Sequence, residues 1–171
     1  EASQGASRVL VVGTDPRRRQ VRDVRASLRR WGADVAVGRR QDPPAGPDTV
    51  PDPALIAWWA LDGIGSTLPR TFLGVDAGEG APPEAREDEL VVVVADGPAS
   101  LSPRAPVPEH PRGVALDAAL RDWLAAGGDL PDPGPDVAAE VGWWSRPAWL
   151  VLAALVGGRP ASVAGSWAPF G

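Results

Sequence analysis

The sequence contains no cysteine and no lysine, and His110 is its single histidine. Without cysteine the chain can form neither disulfides nor a thiolate zinc site, and it has no catalytic thiol. One histidine also excludes a metal site built from several histidines. The phosphate-binding loop GxxxxGK[ST] is excluded because it requires a lysine. These absences remove several common classes of enzyme and of metal-binding domain.

Long apolar runs and an excess of basic charge are also missing. Aspartate and glutamate number 22 against 17 arginines, and the net charge is −5, which argues against a nucleic-acid partner. The longest apolar run, Ala148 to Val156, is far shorter than the roughly 20 residues that a membrane helix needs. We therefore expect a cytoplasmic α/β protein without a membrane segment or a cofactor.

Three apolar runs indicate strands that are buried on both faces of an open, mainly parallel sheet. They are Arg8 to Gly13, Ala54 to Leu61 and Leu90 to Ala95, and none of them alternates between apolar and polar residues. The middle run could instead be a helical turn. If it is a strand, Trp58 and Trp59 point to opposite faces of the sheet.

The segment after the first run has the pattern of an amphipathic helix. Asp15 followed by Pro16 is typical of a helix start, and Gly32 is typical of a helix end. The apolar residues between them recur at helical spacing: Val21, Val24, Leu28 and Trp31. Residues 33–38 then predict a second strand, which completes a β-α-β unit with a right-handed crossover.

The remaining segments predict helices and loops. Residues 62–74 have room for a short helix, and residues 105–107 for a short edge strand. A longer helix carrying Leu116 and Leu124 ends at Gly127. We therefore expect an α/β domain over residues 8–127, with flanking helices, and a Trp-rich helical extension over residues 128–171. Within that extension Asp136 and Pro147 indicate the starts of two short helices.

The carboxyl ends of the predicted strands are the expected place for a ligand. Gly13, Thr14 and Asp15 follow the first strand, Asp62 follows the third, and Asp96 follows the fourth. The three aspartates could hold magnesium through oxygen ligands, or each could cap a helix or make a turn. The Gly13-Thr14 turn could likewise cradle a phosphate at a helix N-terminus, or be a plain tight turn.

Nucleophilic catalysis and partner binding depend on other residues. His110 lies between Glu109 and Pro111 without a G-x-S-x-G elbow in the chain, so we interpret it as a surface histidine. Four tryptophans crowd the C-terminal extension: Trp143, Trp144, Trp149 and Trp167. They either dock onto the α/β domain or form an exposed partner-binding surface.

The order of elements from Arg8 to Gly38 resembles the opening of a receiver domain of the response-regulator type, and the resemblance extends to about residue 127. It implies a flavodoxin-like fold. The acidic pair of a receiver falls on Gly13 and Thr14, and its third acid is Asp15. The phosphate-accepting aspartate falls on Trp58 or Trp59, which cannot accept a phosphoryl group.

The rest of the receiver machinery is also replaced. Its hydroxyl residue falls near Ala95 or Asp96, and its Lys-Pro pair falls on His110 and Pro111. The resemblance therefore implies a degenerate receiver, or pseudo-receiver.

We expect a non-catalytic regulatory or scaffolding domain that acts by protein contact, with a protein partner or as a homodimer. One alternative is a sensor that binds a small molecule or nucleotide at the predicted sheet edge. Another is a magnesium-dependent phosphate-handling enzyme that uses Asp15, Asp62 and Asp96.

Overall fold

A computed structural model describes residues 5–46, 48–76 and 83–162. The chain divides into two compact units, Glu1–Val94 and Ala95–Gly171, which we call the first and the second unit. The domain boundary expected after residue 127 falls inside the second unit. Among the helices of the described residues, none has the length and apolar character needed to cross a membrane.

The first unit is a mixed α/β structure. In chain order its elements are β1 (Arg8–Thr14), β2 (Gln20–Arg22), β3 (Ala26–Ser27), β4 (Ala36–Val37), α1 (Asp52–Gly63), β5 (Arg70–Val75) and β6 (Glu89–Val94). Four strands form one sheet in the order β2-β5-β1-β6. The strands β5, β1 and β6 are parallel, and β2 is antiparallel to β5. The prediction of a mainly parallel α/β sheet is confirmed.

Two of the predicted strands are confirmed. The central strand is β1, whose residues Val9 to Val12 are all buried, as the continuous apolar run indicated. The run from Leu90 corresponds to β6, which lies at an edge of the sheet. The side chains of Val9, Val11 and Phe72 form the sheet side of the core beneath α1.

The predicted helix over residues 15–32 is wrong, and so is the β-α-β unit that it would complete. Backbone N–H groups after Asp15 bond to its carboxylate, and Arg18 adopts a left-handed φ of 49°. Val21 then pairs with Phe72 as part of β2. The predicted second strand is reduced to β4, which pairs antiparallel with β3 in a separate two-stranded sheet. Local side-chain bonds to the backbone compete with helix formation here.

The predicted strand over residues 54–61 is also wrong, because this segment is the helix α1. Pro53 occupies its first turn, where a proline is compatible with a helix. An apolar run of this length fits a buried strand and a buried helix equally well. Because this segment is not a strand, the expectation that Trp58 and Trp59 point to opposite faces of a sheet is also wrong. The short helix expected within residues 62–74 is replaced by β5.

The second unit is helical in its described part. It contains α2 (Pro111–Ala126), α3 (Pro135–Glu140) and α4 (Arg146–Val156), which confirms the three predicted helices. The edge strand expected over residues 105–107 is not formed, and these residues lie in a bend. The core of the unit is built from residues of all three helices and their connections: Leu116, Leu120, Trp123, Ala138, Val141, Trp143 and Trp149.

Candidate functional site

The carboxyl end of β1 holds three of the predicted ligand residues, Gly13, Thr14 and Asp15. The side chain of Asp15 is buried, and its carboxylate accepts four hydrogen bonds from its own chain. Two come from the backbone N–H groups of Arg17 (3.4 Å) and Arg19 (2.8 Å). The other two come from Nε and Nη2 of the Arg19 guanidinium, at 2.9 and 2.8 Å. The carboxylate is therefore a buried anion whose hydrogen-bond acceptor positions are already occupied by donors of the same chain.

The space at this turn is filled as well. A Cβ atom added to Gly13 would collide with the ring of Pro53 at the start of α1. Thr14 Oγ1 is buried and has no hydrogen-bond partner among the described residues. Since backbone N–H groups of this turn already donate to the Asp15 carboxylate, the arrangement favours the plain tight turn over a phosphate cradle.

Gly74 completes this turn, although no pattern in the sequence marks it as part of the site. A Cβ atom at Gly74 would lie 2.8 Å from Cβ of Asp15 and 3.1 Å from the backbone nitrogen of Arg19. Real Cβ contacts are longer, so the missing side chain makes room for the Asp15–Arg19 pair. Gly74 is opposite Gly13 in the β1–β5 register. This juxtaposition of two glycines could be found only once the strand pairing was known.

The Asp15–Arg19 pair predicts an acid-dependent stability. The hydrogen-bonded Arg19 guanidinium, helped by the two backbone N–H groups, holds the pKa of Asp15 below its ordinary value against the opposing effect of burial. As the pH falls, the unfolded chain therefore binds a proton before the folded chain does. The stabilisation should be complete above about pH 5 and should be lost as the pH falls below about 3.9, the ordinary Asp value, through the lower folded pKa.

The measurement is urea unfolding of the wild type and Asp15→Asn over this pH range. The difference between their free energies of unfolding should shrink steadily with acid. A difference that stays constant down to the lowest pH would contradict the assignment.

Asp62 does not lie at the carboxyl edge of the sheet. It belongs to the last turn of α1, where Oδ1 accepts from Nη1 of Arg70 at 2.8 Å and Oδ2 accepts from the N–H of Gly38 at 2.8 Å. Arg70 begins β5 and is opposite Val9 at the amino end of β1. Asp62 and Asp15 are thus at opposite ends of the sheet, and the prediction that they share one edge is wrong. The reason is that residues 54–61 form a helix instead of a strand.

Asp96 belongs to the second unit, and both its side chain and its backbone are hydrogen-bonded there. Its carboxylate accepts from the hydroxyl of Ser145, and its backbone N–H donates to that hydroxyl at 2.9 Å. The indole Nε1 of Trp149 donates to its backbone carbonyl at 2.8 Å. These bonds tie Asp96 to the start of α4. No cluster of three acidic or histidine side chains that could hold a metal ion occurs within residues 5–46, 48–76 and 83–162.

His110 caps a helix. Its Nδ1 accepts from the backbone N–H of Arg112 in the first turn of α2 at 3.2 Å, and its Nε2 lies 3.1 Å from Oε1 of Glu140. Both ring nitrogens therefore have partners in the second unit. A capping role accounts for the presence of this histidine at the end of a proline-rich loop.

The tryptophans predicted to contact a partner separate into core and surface residues. Trp143 and Trp149 are buried, at 1% and 7% exposure, and their rings lie 6.3 Å apart. A surface role for these two is wrong, because they fill the centre of the second unit, where Trp149 also packs edge-on against Trp123. Trp144 is 60% exposed and agrees with a surface position. Trp167 lies outside the described residues.

The most unusual exposed surface of the first unit is the outer face of α1. The inner face packs on the sheet through a set of buried residues: Ala54, Leu55, Ala57, Trp58 and Leu61. From Ile56 onward the outer stripe, at helical spacing, is also apolar, whereas Asp52, one turn earlier on the same face, is exposed and charged. Ile56 is 45% exposed, Trp59 is 57% exposed, and Ile64, just after the helix, is 77% exposed. Ala60 and Gly63 complete this stripe and are exposed too.

Trp31 lies near the amino end of α1, to which Arg30 links it. The guanidinium of Arg30 is paired with Asp52, the first residue of α1, and lies over the Trp31 ring at 5.4 Å from its centroid. Trp31 is itself 45% exposed. We call the combined surface the α1 patch, and it consists of Trp31, Ile56, Trp59, Ala60, Gly63 and Ile64. Sequence reasoning missed it because the segment was interpreted as a strand, although the helical spacing of 56, 59, 60 and 63 was the available signal.

Neither a protein-family model, nor a curated protein, nor a solved structure matches this chain significantly.

Proposed function

We propose that this chain is a non-catalytic regulatory or scaffolding domain that acts by protein contact, and that the α1 patch is its contact surface. The observation that carries the proposal is that α1 is apolar on both its faces. A helix that is apolar all round is normally buried, and large exposed apolar patches mark interaction sites on folded domains. Trp59, at the centre of the patch, is the kind of residue that dominates the binding energy of protein interfaces.

The internal bonding of the three candidate aspartates supports contact over ligand chemistry. Asp15 is bonded to Arg19, Asp62 to Arg70 and Asp96 to Ser145. A magnesium ion or a small anion would have to displace these partners. These bonds weaken the support for the sensor and for the phosphate-handling enzyme, because both alternatives depended on these aspartates.

The helix that carries the patch is held firmly, which also favours a binding role. Trp58 is fully buried, Asp62 is bonded to the buried Arg70, and Pro53 packs on Gly13. A surface that is already rigid loses little conformational entropy on association. The outer side chains are thus presented on a preorganised support.

A receiver-like origin can be combined with this proposal but is not required by it. The position of β1 between β5 and β6 is in keeping with the first strands of a flavodoxin-like sheet. The helix that normally follows the first strand is replaced by β2 and β3, and the positions matched to the phosphate acceptor, Trp58 and Trp59, lie on α1. Contact through α1 is independent of how this arrangement arose.

Site-specific photo-cross-linking tests the proposal. A benzophenone amino acid at position 59 should give a discrete protein adduct in cells that produce the chain. The matched control is position 20, because Gln20 is exposed on the edge strand β2, two strands from β1. Adding Ile56→Glu should abolish the adduct from position 59. Equal adducts from positions 59 and 20, or none from position 59, would refute the contact surface.

A further inference from the structure

We infer that the protein that covers the α1 patch is a second copy of this chain, with the two α1 helices antiparallel about a two-fold axis between Trp59 and Ala60. This inference rests on the proposed function and specifies its partner. It starts from the order of side chains along the outer stripe. The two large residues, Ile56 and Trp59, precede the two small ones, Ala60 and Gly63.

This order makes the stripe complementary to itself. In an antiparallel pair centred between positions 59 and 60, Ile56 faces Gly63 of the second copy, and Trp59 faces Ala60. Each large side chain then meets a small one, as close packing requires. A two-fold interface uses the same surface on both copies, so every contact occurs twice. A parallel pair would place Trp59 against Trp59 and leave a gap between the two Gly63 positions.

The charges around α1 also suit an antiparallel copy. The only charged residues of α1 are Asp52 and Asp62. Asp52 is paired with Arg30 and Asp62 with Arg70, so the interface would bury no unpaired charge, which is the costly case. The carboxyl end of α1 has no basic residue in its last turn. Antiparallel packing supplies the complementary charge, because the positive amino end of one helix dipole lies beside the negative carboxyl end of the other.

The size of the patch indicates a weak association. The 12 residues of α1 make a helix about 18 Å long. With two half-exposed tryptophans and two exposed isoleucines, the patch can contribute on the order of 400 Å² per chain, judged from the area that a buried aromatic side chain provides. Standard interfaces bury about 800 Å² per partner. We therefore expect a weak, transient dimer.

Sedimentation equilibrium of the whole chain tests the dimer. The mass should rise from that of one chain toward twice that value as the concentration increases from about 1 μM to about 1 mM, a range that spans weak association. Trp59→Glu and Ala60→Glu should each weaken association at least about tenfold, by placing a charge in the interface. Trp144→Glu is the matched control, since Trp144 is equally exposed but belongs to the second unit. Far-ultraviolet circular dichroism should show that all three variants remain folded.

Single cysteines test the antiparallel arrangement, because the chain has none of its own. Ala60→Cys lies beside the proposed axis and should cross-link to its own copy through a short bismaleimide. Ile56→Cys should not, because the two copies of position 56 are about 10 Å apart along the helices. A mixture of Ile56→Cys and Gly63→Cys chains should cross-link to each other. Gly63 is open to solvent, so the new side chain meets no atom.

The outcomes separate this inference from the function on which it rests. A monomer at every concentration, or a dimer that Trp59→Glu leaves intact, would overturn the second copy as partner. If a monomer still gave a discrete adduct with another protein at position 59, the contact surface would stand while the homodimer failed. Self-cross-linking of positions 56, 60 and 63 to the same extent would indicate a parallel pair and overturn the antiparallel arrangement.

Discussion

Trp143→Ala should lower the free energy of unfolding of the second unit by about 4 kcal/mol, the usual loss for a large aromatic residue in a core. Trp144→Ala, one position further, should change it by less than about 0.5 kcal/mol. Trp143 is 1% exposed and packs against Trp149 in the helical core. Trp144 is 60% exposed. Neighbouring residues of the same type thus have opposite energetic roles.

Urea unfolding followed by far-ultraviolet circular dichroism is the appropriate measurement, because each substitution removes a fluorescent tryptophan. Hydrogen exchange in α2 would assign the loss to the second unit. Trp143→Phe provides a conservative comparison. The indole Nε1 of Trp143 is buried without a hydrogen-bond partner among the described residues, so its removal costs nothing in hydrogen bonding and the loss should be smaller. Equal effects of Trp143→Ala and Trp144→Ala would show that the assignment of core and surface is incorrect.

Asp62→Ala should destabilise the first unit by about 2 kcal/mol, less than the loss of one partner of a fully buried ion pair, because the Asp62 side chain is 31% exposed. The Arg70 side chain is fully buried. Besides Asp62, its guanidinium donates to the carbonyls of Trp58 and Ser66, at 3.3 and 3.0 Å. Without the carboxylate the positive charge would remain in the interior with only neutral acceptors. The Gly38 N–H would also lose its acceptor.

A double variant separates charge from packing. Asp62→Leu combined with Arg70→Met removes both charges, and an apolar pair of similar volume can replace a buried ion pair at little cost. The double variant should therefore be more stable than Asp62→Ala. Asp34→Ala is the control, since Asp34 forms an exposed pair with Arg29 and its loss should leave the urea midpoint unchanged. A double variant less stable than Asp62→Ala would contradict the role given to the buried charge.

Several elements could be predicted from the sequence because their patterns have one local solution. The run from Arg8 is rich in β-branched residues and forms the central strand. The helices of the second unit carry their own start and stop signals: α2 ends at Gly127, and Pro147 lies in the first turn of α4. Such signals act within a few residues of chain.

Other segments have two local solutions, and long-range contacts decide between them. The stripe from Val21 to Trp31 suits a helix, but pairing of Val21 with Phe72 uses its backbone in a sheet. Residues 54–61 are apolar at every position, so the period of two of a strand cannot be distinguished from the period of 3.6 of a helix. In the folded chain Asp62 meets Arg70 from α1, an interaction that a strand would not have produced.

The candidate site likewise combines features that the sequence predicts with features that only long-range contacts decide. By itself the sequence determined the mixed α/β class, the central strand, the three helices after residue 110 and the absence of cysteine chemistry, because composition and local periodicity are sufficient for each. The tertiary structure alone decided that Asp15 and Asp62 are bonded to arginines, that Trp143 is buried while Trp144 is exposed, and that Trp59 faces outward. The physical reason is that exposure and pairing depend on neighbours distant in the chain, which a single sequence does not identify.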